Sequence, residues 1–221
     1  MTQDELKKAA AQAALQFVPA GAIIGVGSGS TVRCFIEALA PIAHTLKGAI
    51  SSSEDSAARL RAIGINVIDP NDIKDTLPVY IDGADEIDPG FHMIKGGGAA
   101  LTREKIAAAL CERFVCMCDQ SKRVPVLGNF PLPIEVIPMA REYLIRTLQK
   151  EFNARATWRK GIITDNGNMI IDVAGLRIEK PVELESALNQ LPGVVTNGLF
   201  ARRKADILVL ASNTGIDILT P

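Results

Sequence analysis

The sequence is poor in the side chains that usually bind metals or form cross-links. Its 221 residues include only two histidines and four cysteines, and aromatic residues make up 5% of the chain. The cysteines are Cys34, Cys111, Cys116 and Cys118, and no two of them form a Cys-x-x-Cys motif. We therefore expect small buried thiols in a reducing compartment rather than a metal or redox site. With only His44 and His92 available, a histidine-rich zinc site is not expected.

The chain also lacks a dominant charge and a long apolar run. It has 24 basic and 25 acidic residues, and the basic residues are spread along the chain, which gives no electrostatic footprint for nucleic acid or for an anionic membrane. Residues 1–8 mix acids and bases where a signal peptide would have an apolar stretch. No stretch approaches the roughly 18 apolar residues of a membrane span. We therefore expect a cytoplasmic protein with no nucleic-acid and no membrane partner.

Short apolar runs that alternate with helical patterns make up the first part of the chain. AIIGV (22–26) precedes a glycine turn and the periodic segment TVRCFIEALA, and VYID (79–82) and RFVCMC (113–118) are similar strand-like runs. This alternation predicts an α/β fold with a doubly wound, mostly parallel sheet. Thr2 and Glu5 form a capping box that predicts a helix at the start. The apolar run that begins at Ala205 is predicted to be a buried parallel strand of the same sheet.

The composition changes near residue 125, where four prolines occur within fourteen positions. Beyond them we predict a helix near MAREYLIRTLQKEF, a hairpin around Asn166 and Gly167, and a helix with Pro181 in its first turn. These elements indicate a second, smaller α+β domain. The predicted domains are therefore residues 1–128 with 203–221, and residues 129–202.

Four segments carry groups suited to chemistry, and the first is GVGSGST, between a predicted strand and a helix. Amides at a helix N-terminus bind anions, and glycines allow a close approach. The segment has no lysine of a P-loop and no third glycine of a dinucleotide fingerprint, so it favours a small phosphate near Ser28, Gly29, Ser30 and Thr31. The alternative is an ordinary turn with a serine cap.

The second segment is Asp82-Gly83-Ala84-Asp85, at the end of VYID. Ligands of parallel α/β sheets bind beyond the carboxyl ends of the strands, so both aspartates are predicted to point into that crevice. The alternative is that they cap a helix. Glu86 and Asp88, which follow, are expected to be solvated.

The third segment is Lys95-Gly96-Gly97-Gly98, with Glu104 further along in the first turn of the next predicted helix. Three successive glycines are costly in entropy unless their amides approach a ligand, and such amides can form an oxyanion pocket beside Lys95. The alternative for Glu104 is a favourable interaction with the helix dipole.

The fourth segment contains Lys122, which follows RFVCMC and is either a phosphate-binding cation or an exposed lysine. All four segments are predicted to lie at the same edge of one sheet.

In their order and spacing, GVGSGST, IDGADEID, IKGGGAALTREK and DQSK resemble the type A ribose-5-phosphate isomerase family. The similarity extends from TQDELKKAA through FPLPIEVIPMA and TDNGN to LPGVVTNGLF, which is nearly the whole chain. It implies a Rossmann-like domain with a smaller α+β domain, a homodimer, and interconversion of two pentose phosphates through an enediolate, with no cofactor and no metal.

The resemblance also implies roles for individual residues. Glu104 is the proton-transferring base, and Asp82, Asp85 and Lys95 surround the reacting end of the sugar. The positions implied to contact substrate are Ser28, Gly29, Ser30, Thr31, Asp82, Gly83, Ala84, Asp85, Lys95, Gly96, Gly97, Gly98 and Lys122. Ser28 stands where threonine is usual, which preserves the hydroxyl group.

Two other classes of protein are compatible with the same features. A phosphosugar-sensing domain of a transcriptional regulator would need an attached DNA-binding module, whereas this chain starts directly with the predicted sheet domain. A phosphosugar deaminase or a CoA transferase would use a glutamate differently, and the lack of a histidine relay disfavours the deaminase.

Overall fold

The structure is a computed structural model that describes all 221 residues of the chain. The helices are α1 (Gln3–Ala14), α2 (Ser30–Leu39), α3 (Glu54–Ala62), α4 (Leu101–Ala109), α5 (Arg141–Phe152) and α6 (Pro181–Leu188). The strands are β1 (Ile23–Val26), β2 (Gly48–Ser51), β3 (Leu77–Asp82), β4 (Glu86–Ile87), β5 (Met93–Ile94), β6 (Cys111–Asp119), β7 (Leu132–Val136), β8 (Arg155–Trp158), β9 (Met169–Ala174), β10 (Val194–Asn197), β11 (Leu199–Phe200), β12 (Ile207–Ser212) and β13 (Gly215–Leu219). None of the helices combines the length and the apolar character that crossing a membrane requires.

The chain divides into two compact units. The first unit comprises Met1–Ala84, Arg103–Lys122 and Ala205–Pro221, and the second comprises Asp85–Thr102 and Arg123–Lys204. Asp85–Thr102, which the sequence analysis placed in the first domain, lies in the second unit, where β4 pairs with β5 and β5 pairs with β11. The domain boundaries near residues 128 and 203 stay predictions.

The first unit is built on a six-stranded sheet in the order β13-β12-β6-β3-β1-β2. All neighbouring pairs are parallel except β12 and β13, which confirms the predicted mostly parallel sheet and the return of the chain from Ala205. The chain passes from β1 to β2 on one side and then to β3 on the other. The carboxyl ends of β1 and β3 therefore form a topological switch point, where α/β proteins bind their ligands.

The core of the first unit follows from its apolar runs. Consecutive residues of β3 and β6 are buried, as expected when both faces of a parallel sheet are covered. Thr2 and Glu5 form the predicted capping box at the start of α1. The cysteines form no disulfide, and three of them are buried (Cys111, Cys116 and Cys118), which confirms the expected buried thiols at those positions.

The second unit contains two antiparallel sheets and two helices. Its larger sheet has the order β10-β7-β9-β8, and the smaller has the order β11-β5-β4. The hairpin predicted around Gly167 is confirmed, since β8 and β9 pair antiparallel and Gly167 has a φ of 79°. Pro181 is the first residue of α6, as predicted. Buried residues of β7 and α5, such as Ile134 and Leu148, form this unit's own core.

Candidate active site

The turn after β1 brings the backbone directly against Asp82, the last residue of β3. The Gly27 amide donates to the carbonyl of Ile81 at 2.9 Å. A Cβ atom added at Gly27 would lie 1.9 Å from the Asp82 Cγ atom, so only glycine fits at this position. The glycine of the sequence pattern is therefore explained by the close approach of a buried carboxylate.

Asp82 is fully buried and accepts hydrogen bonds at both oxygens. Its Oδ1 atom accepts from the amides of Ser28, at 3.1 Å, and Gly83, at 2.7 Å. Its Oδ2 atom accepts from the Tyr80 hydroxyl at 2.5 Å. Burial, followed by the negative charges of Asp82 and Glu104, raises the pKa of Tyr80 well above its ordinary value, so the tyrosine stays a hydrogen-bond donor.

Glu104 lies in the first turn of α4 and is 3% exposed. Its Oε1 atom accepts from the Ser28 hydroxyl at 2.6 Å. Since the amide of Ser28 also donates to Asp82, one serine holds both carboxylates to the same turn. The prediction that Glu104 lies on the same side as Asp82 is confirmed.

The N-terminus of α2 lies beside these carboxylates and is open to solvent. Gly29, at the N-cap position, has a φ of 92°, a backbone conformation that favours glycine, and no side chain caps the helix. A Cβ atom added at Gly83 would lie 3.8 Å from the Thr31 Cβ atom, which places this N-terminus at the switch point between β1 and β3. Ser30 is exposed and Thr31 half-buried. Because no side chain caps α2, the alternative of a serine cap is wrong.

Lys122 ends a short helical turn after β6 and is half-buried. Because β6 is the parallel neighbour of β3, Lys122 lies at the same edge of the sheet as Asp82. Its charge acts on the Cys118 thiol, whose pKa is nevertheless raised by a hydrogen bond with Cys116 and by burial.

The triple-glycine segment belongs to the second unit and is held tightly by its surroundings. The Lys95 amide donates to the Gly198 carbonyl at 2.9 Å. The side chain of Lys95 is buried, and its Nζ atom lies 5.5 Å from the centre of the Phe200 ring. The Gly97 amide donates to the Asp85 Oδ2 atom at 2.8 Å. A Cβ atom at Gly97 would lie 2.7 Å from the Asp85 Oδ1 atom, so a larger residue would displace that carboxylate.

The prediction that all four segments lie at one edge of one sheet is wrong for Asp85 and for residues 95–98. These residues flank the short strands β4 and β5 of the three-stranded antiparallel sheet. Each of these strands has only two residues. A strand of that length shows no alternation of apolar and polar residues from which it could be predicted.

The expectation of solvated carboxylates at Glu86 and Asp88 is also wrong. Glu86 is 4% exposed and accepts from the amides of Gly128 and Phe130. Asp88 pairs with the His92 ring at 3.0 Å, and 14% of its side chain is exposed. Both carboxylates therefore stabilise loops of the second unit.

Two residues that the sequence analysis did not single out contact residues of the predicted segments, one in each unit. Tyr80 precedes Asp82 by two positions on β3, and the alternation of side chains along a strand could have indicated that both point the same way. Arg159 donates to the carbonyls of Gly96 and Gly97, and no local pattern connects these distant positions.

The structure contains no group of three or more histidine, cysteine, aspartate or glutamate side chains that could hold a metal ion.

Fold and site together define an α/β enzyme with carboxylates at the switch point of a mostly parallel sheet. The family profile of ribose 5-phosphate isomerase A, also called phosphoriboisomerase A, matches residues 48–215. A ribose-5-phosphate isomerase A of Leptothrix cholodnii is 56% identical over 219 residues, which are 99% of this chain and 99% of the relative. The chain therefore belongs to the ribose 5-phosphate isomerase A family.

Solved structures of the same family show the same fold. Ribose 5-phosphate isomerase A of Neisseria gonorrhoeae is 45% identical, with a TM-score of 0.97 over 100% of this chain and 98% of that one. A D-ribose-5-phosphate isomerase in complex with phospho-erythronic acid is 38% identical, with a TM-score of 0.95 over the full length of both chains. These similarities confirm the predicted fold class and family.

Proposed function

We propose that this isomerase interconverts D-ribose 5-phosphate and D-ribulose 5-phosphate by proton transfer, with Glu104 as the base. The observation that carries the proposal is the buried Glu104 carboxylate, held by the Ser28 hydroxyl in the turn that also holds Asp82. A carboxylate at such a position can accept a proton from carbon and return it to the neighbouring carbon. The identity with a relative of the same activity supports the reaction.

The reaction moves two hydrogens without a net change in oxidation. In the open-chain aldose, Glu104 removes the proton from the second carbon, and the electron pair forms an enediolate with charge on the first oxygen. Glu104 then returns the proton to the first carbon, while the hydroxyl proton of the second oxygen passes to the first. Asp82, Asp85 and Lys95 are proposed to assist ring opening and this exchange between oxygens.

The developing oxyanion is proposed to be stabilised by Lys95 and by amides of the triple glycine. A buried ammonium group and fixed amides stabilise a developing charge without the reorganisation that water molecules would need. A related isomerase binds phospho-erythronic acid, whose planar carboxylate resembles an enediolate in shape and charge. Ligands of that kind bind tightly because enzymes are complementary to the charge of the transition state.

The phosphate is proposed to bind at the N-terminus of α2, near Ser30 and Thr31, with Lys122 as a cation. The exposed first turn of α2 and the half-buried Lys122 lie at the same edge of the sheet. The resemblance further supports a homodimer in the cytoplasm, and both remain proposals.

The reaction itself is tested by turnover in heavy water. We expect ribose 5-phosphate to be converted, and the ribulose 5-phosphate to carry deuterium at its first carbon, because a carboxylate exchanges its proton with solvent before returning it. We also expect EDTA to leave the rate unchanged. The isotope content is measured by mass spectrometry and by proton NMR of the product.

Two results would contradict this mechanism. Complete retention of the substrate hydrogen, combined with loss of activity in EDTA that added divalent metal restores, would indicate a metal-assisted hydride shift. Absence of turnover on ribose 5-phosphate by the folded protein would overturn the proposed reaction itself.

The phosphate site is tested with Thr31→Val and Lys122→Ala. Each change removes a group proposed to bind the phosphate, so we expect KM to rise by the equivalent of about 1 to 3 kcal/mol, with a smaller change in kcat. Lys150→Ala, which removes an exposed lysine of the second unit, is the matched control. Unchanged KM values in both variants would remove the α2 N-terminus and Lys122 from the site.

A further inference from the structure

Arg159, directly after β8, connects the hairpin of the second unit with the triple glycine. Its Nε and Nη2 atoms donate to the two oxygens of Asp172 on β9, at 2.8 and 2.5 Å. Its Nη1 atom donates to the carbonyl oxygens of Gly96, at 3.2 Å, and Gly97, at 3.0 Å. The arginine side chain is 19% exposed; its bonds to Asp172 and Gly96 are partly buried, and its bond to Gly97 is exposed.

The contacts of Arg159 fix two successive peptide groups. In the first, which joins Gly96 to Gly97, the carbonyl accepts from Arg159 and from the Ala99 amide, while the amide donates to Asp85. In the second, which joins Gly97 to Gly98, the carbonyl accepts from Arg159. This peptide is trans, as are all peptide bonds of the chain, so its N–H points away from its carbonyl and therefore away from Arg159.

Arg159 thus orients the Gly98 amide through the Gly97 carbonyl, without contacting the amide itself. No protein group accepts a hydrogen bond from it, and Gly98 is exposed. Glycine has the largest backbone freedom of all residues, and an unrestrained peptide at this position would sample many orientations. The bond from a guanidinium to the carbonyl also polarises the peptide, which strengthens its N–H as a donor.

We propose that Arg159 is a positioning residue that orients the Gly98 N–H toward the substrate oxygen that gains negative charge. Asp172 holds the guanidinium through its two bonds, and a lysine could not reproduce this forked geometry. The inference rests on the proposed function, because it takes the triple glycine as the oxyanion pocket of the isomerisation.

The remainder of the segment is anchored independently of Arg159. The Thr102 hydroxyl donates to the buried Glu135, which also accepts from Thr164 and Asn168 at 2.9 Å each. Replacement of Arg159 is therefore expected to increase the backbone freedom of Gly97 and Gly98, while Thr102 keeps its position. The effect is predicted to be local, and to appear in catalysis before it appears in stability.

The kinetic test compares Arg159→Lys with Arg177→Lys. Arg177 belongs to the same unit, pairs with Glu179 and is 75% exposed, so its replacement is a matched control. We expect Arg159→Lys to lower kcat by about ten- to a hundredfold, with little change in KM, since an oxyanion donor acts mainly in the transition state. In Arg159→Ala, guanidinium chloride at a non-denaturing concentration should restore part of kcat, whereas sodium chloride should not.

A direct measurement follows the Gly98 amide by NMR in protein labelled with ¹⁵N-glycine. In the parent and in Arg177→Lys, saturation with phospho-erythronic acid should shift the Gly98 amide proton downfield and slow its exchange with solvent. In Arg159→Lys the shift should be smaller, and exchange in the free protein should be faster.

The inference would be overturned if Arg159→Lys kept kcat within twofold of the parent, or if its Gly98 amide behaved as it does in the parent. Failure of the proposed function has a different signature, since the parent itself would then be inactive on ribose 5-phosphate. Exchange of the Gly98 amide in the ligand-free variants would still decide whether Arg159 holds the segment.

Discussion

Replacement of Glu104 by glutamine is expected to lower kcat by about a hundred- to ten-thousandfold, the usual contribution of a general base. Glutamine has nearly the same shape as glutamate, and its carbonyl can still accept from the Ser28 hydroxyl, which lies 2.6 Å from the Glu104 Oε1 atom in the parent. The amide, however, cannot take a proton from carbon. The measurements are steady-state turnover of ribose 5-phosphate, the melting temperature, and binding of phospho-erythronic acid.

Glu37→Gln provides the control for this variant. Glu37 is an exposed glutamate of α2 in the same unit, so the control removes one negative charge without touching the site. We expect it to retain the parent turnover. If a folded Glu104→Gln protein were nearly as active as the parent, Glu104 would serve only to stabilise the N-terminus of α4 through the helix dipole.

The second large effect is expected for Gly27→Ala. The added methyl group would lie 1.9 Å from the Cγ atom of the fully buried Asp82, so the carboxylate or the turn must move. A displacement of about 1 Å at a catalytic group can lower the rate by about a hundredfold, and we expect a loss of that size in kcat/KM. Overpacking should also lower the free energy of unfolding by about 1 to 3 kcal/mol.

Gly64→Ala separates the steric effect from the general effect of replacing a glycine. Gly64, at the end of α3, has a φ of 85°, and nothing lies within 4 Å of an added Cβ atom. This control should lose roughly 1 kcal/mol of stability through backbone strain while keeping the parent kcat/KM. Normal kcat/KM in Gly27→Ala would show that the position of Asp82 does not limit catalysis.

Local signals in the sequence predicted much of the fold. The capping box of α1, the hairpin at Gly167 and the start of α6 at Pro181 each depend on residues close together in the chain, and the structure confirms them. The assignment of Asp85–Thr102 depends instead on β11, which pairs with β5 from a distant part of the chain. Sequence periodicity carries no information about such pairing when each strand has two residues.

The site divides in the same way. The glycine turn and Asp82 were predicted to lie together because both come at the ends of strands of a parallel sheet. Glu104 was predicted to lie near them because its helix was recognisable in the sequence. The bond from the Ser28 hydroxyl to Glu104 is a tertiary contact that no spacing encodes. The same holds for Arg159, whose carbonyl partners lie in another segment of the second unit.

Tyr80 has a consequence for the tolerance of the protein to alkaline solution. In the folded state its hydroxyl is buried against Asp82, and the pKa is well above the ordinary value of about 10. The unfolded chain releases the tyrosine proton at about pH 10, whereas the folded chain retains it. The stabilising contribution of this group is therefore complete below about pH 10 and falls as the pH rises further, so that strong alkali favours unfolding through the same hydroxyl that holds Asp82.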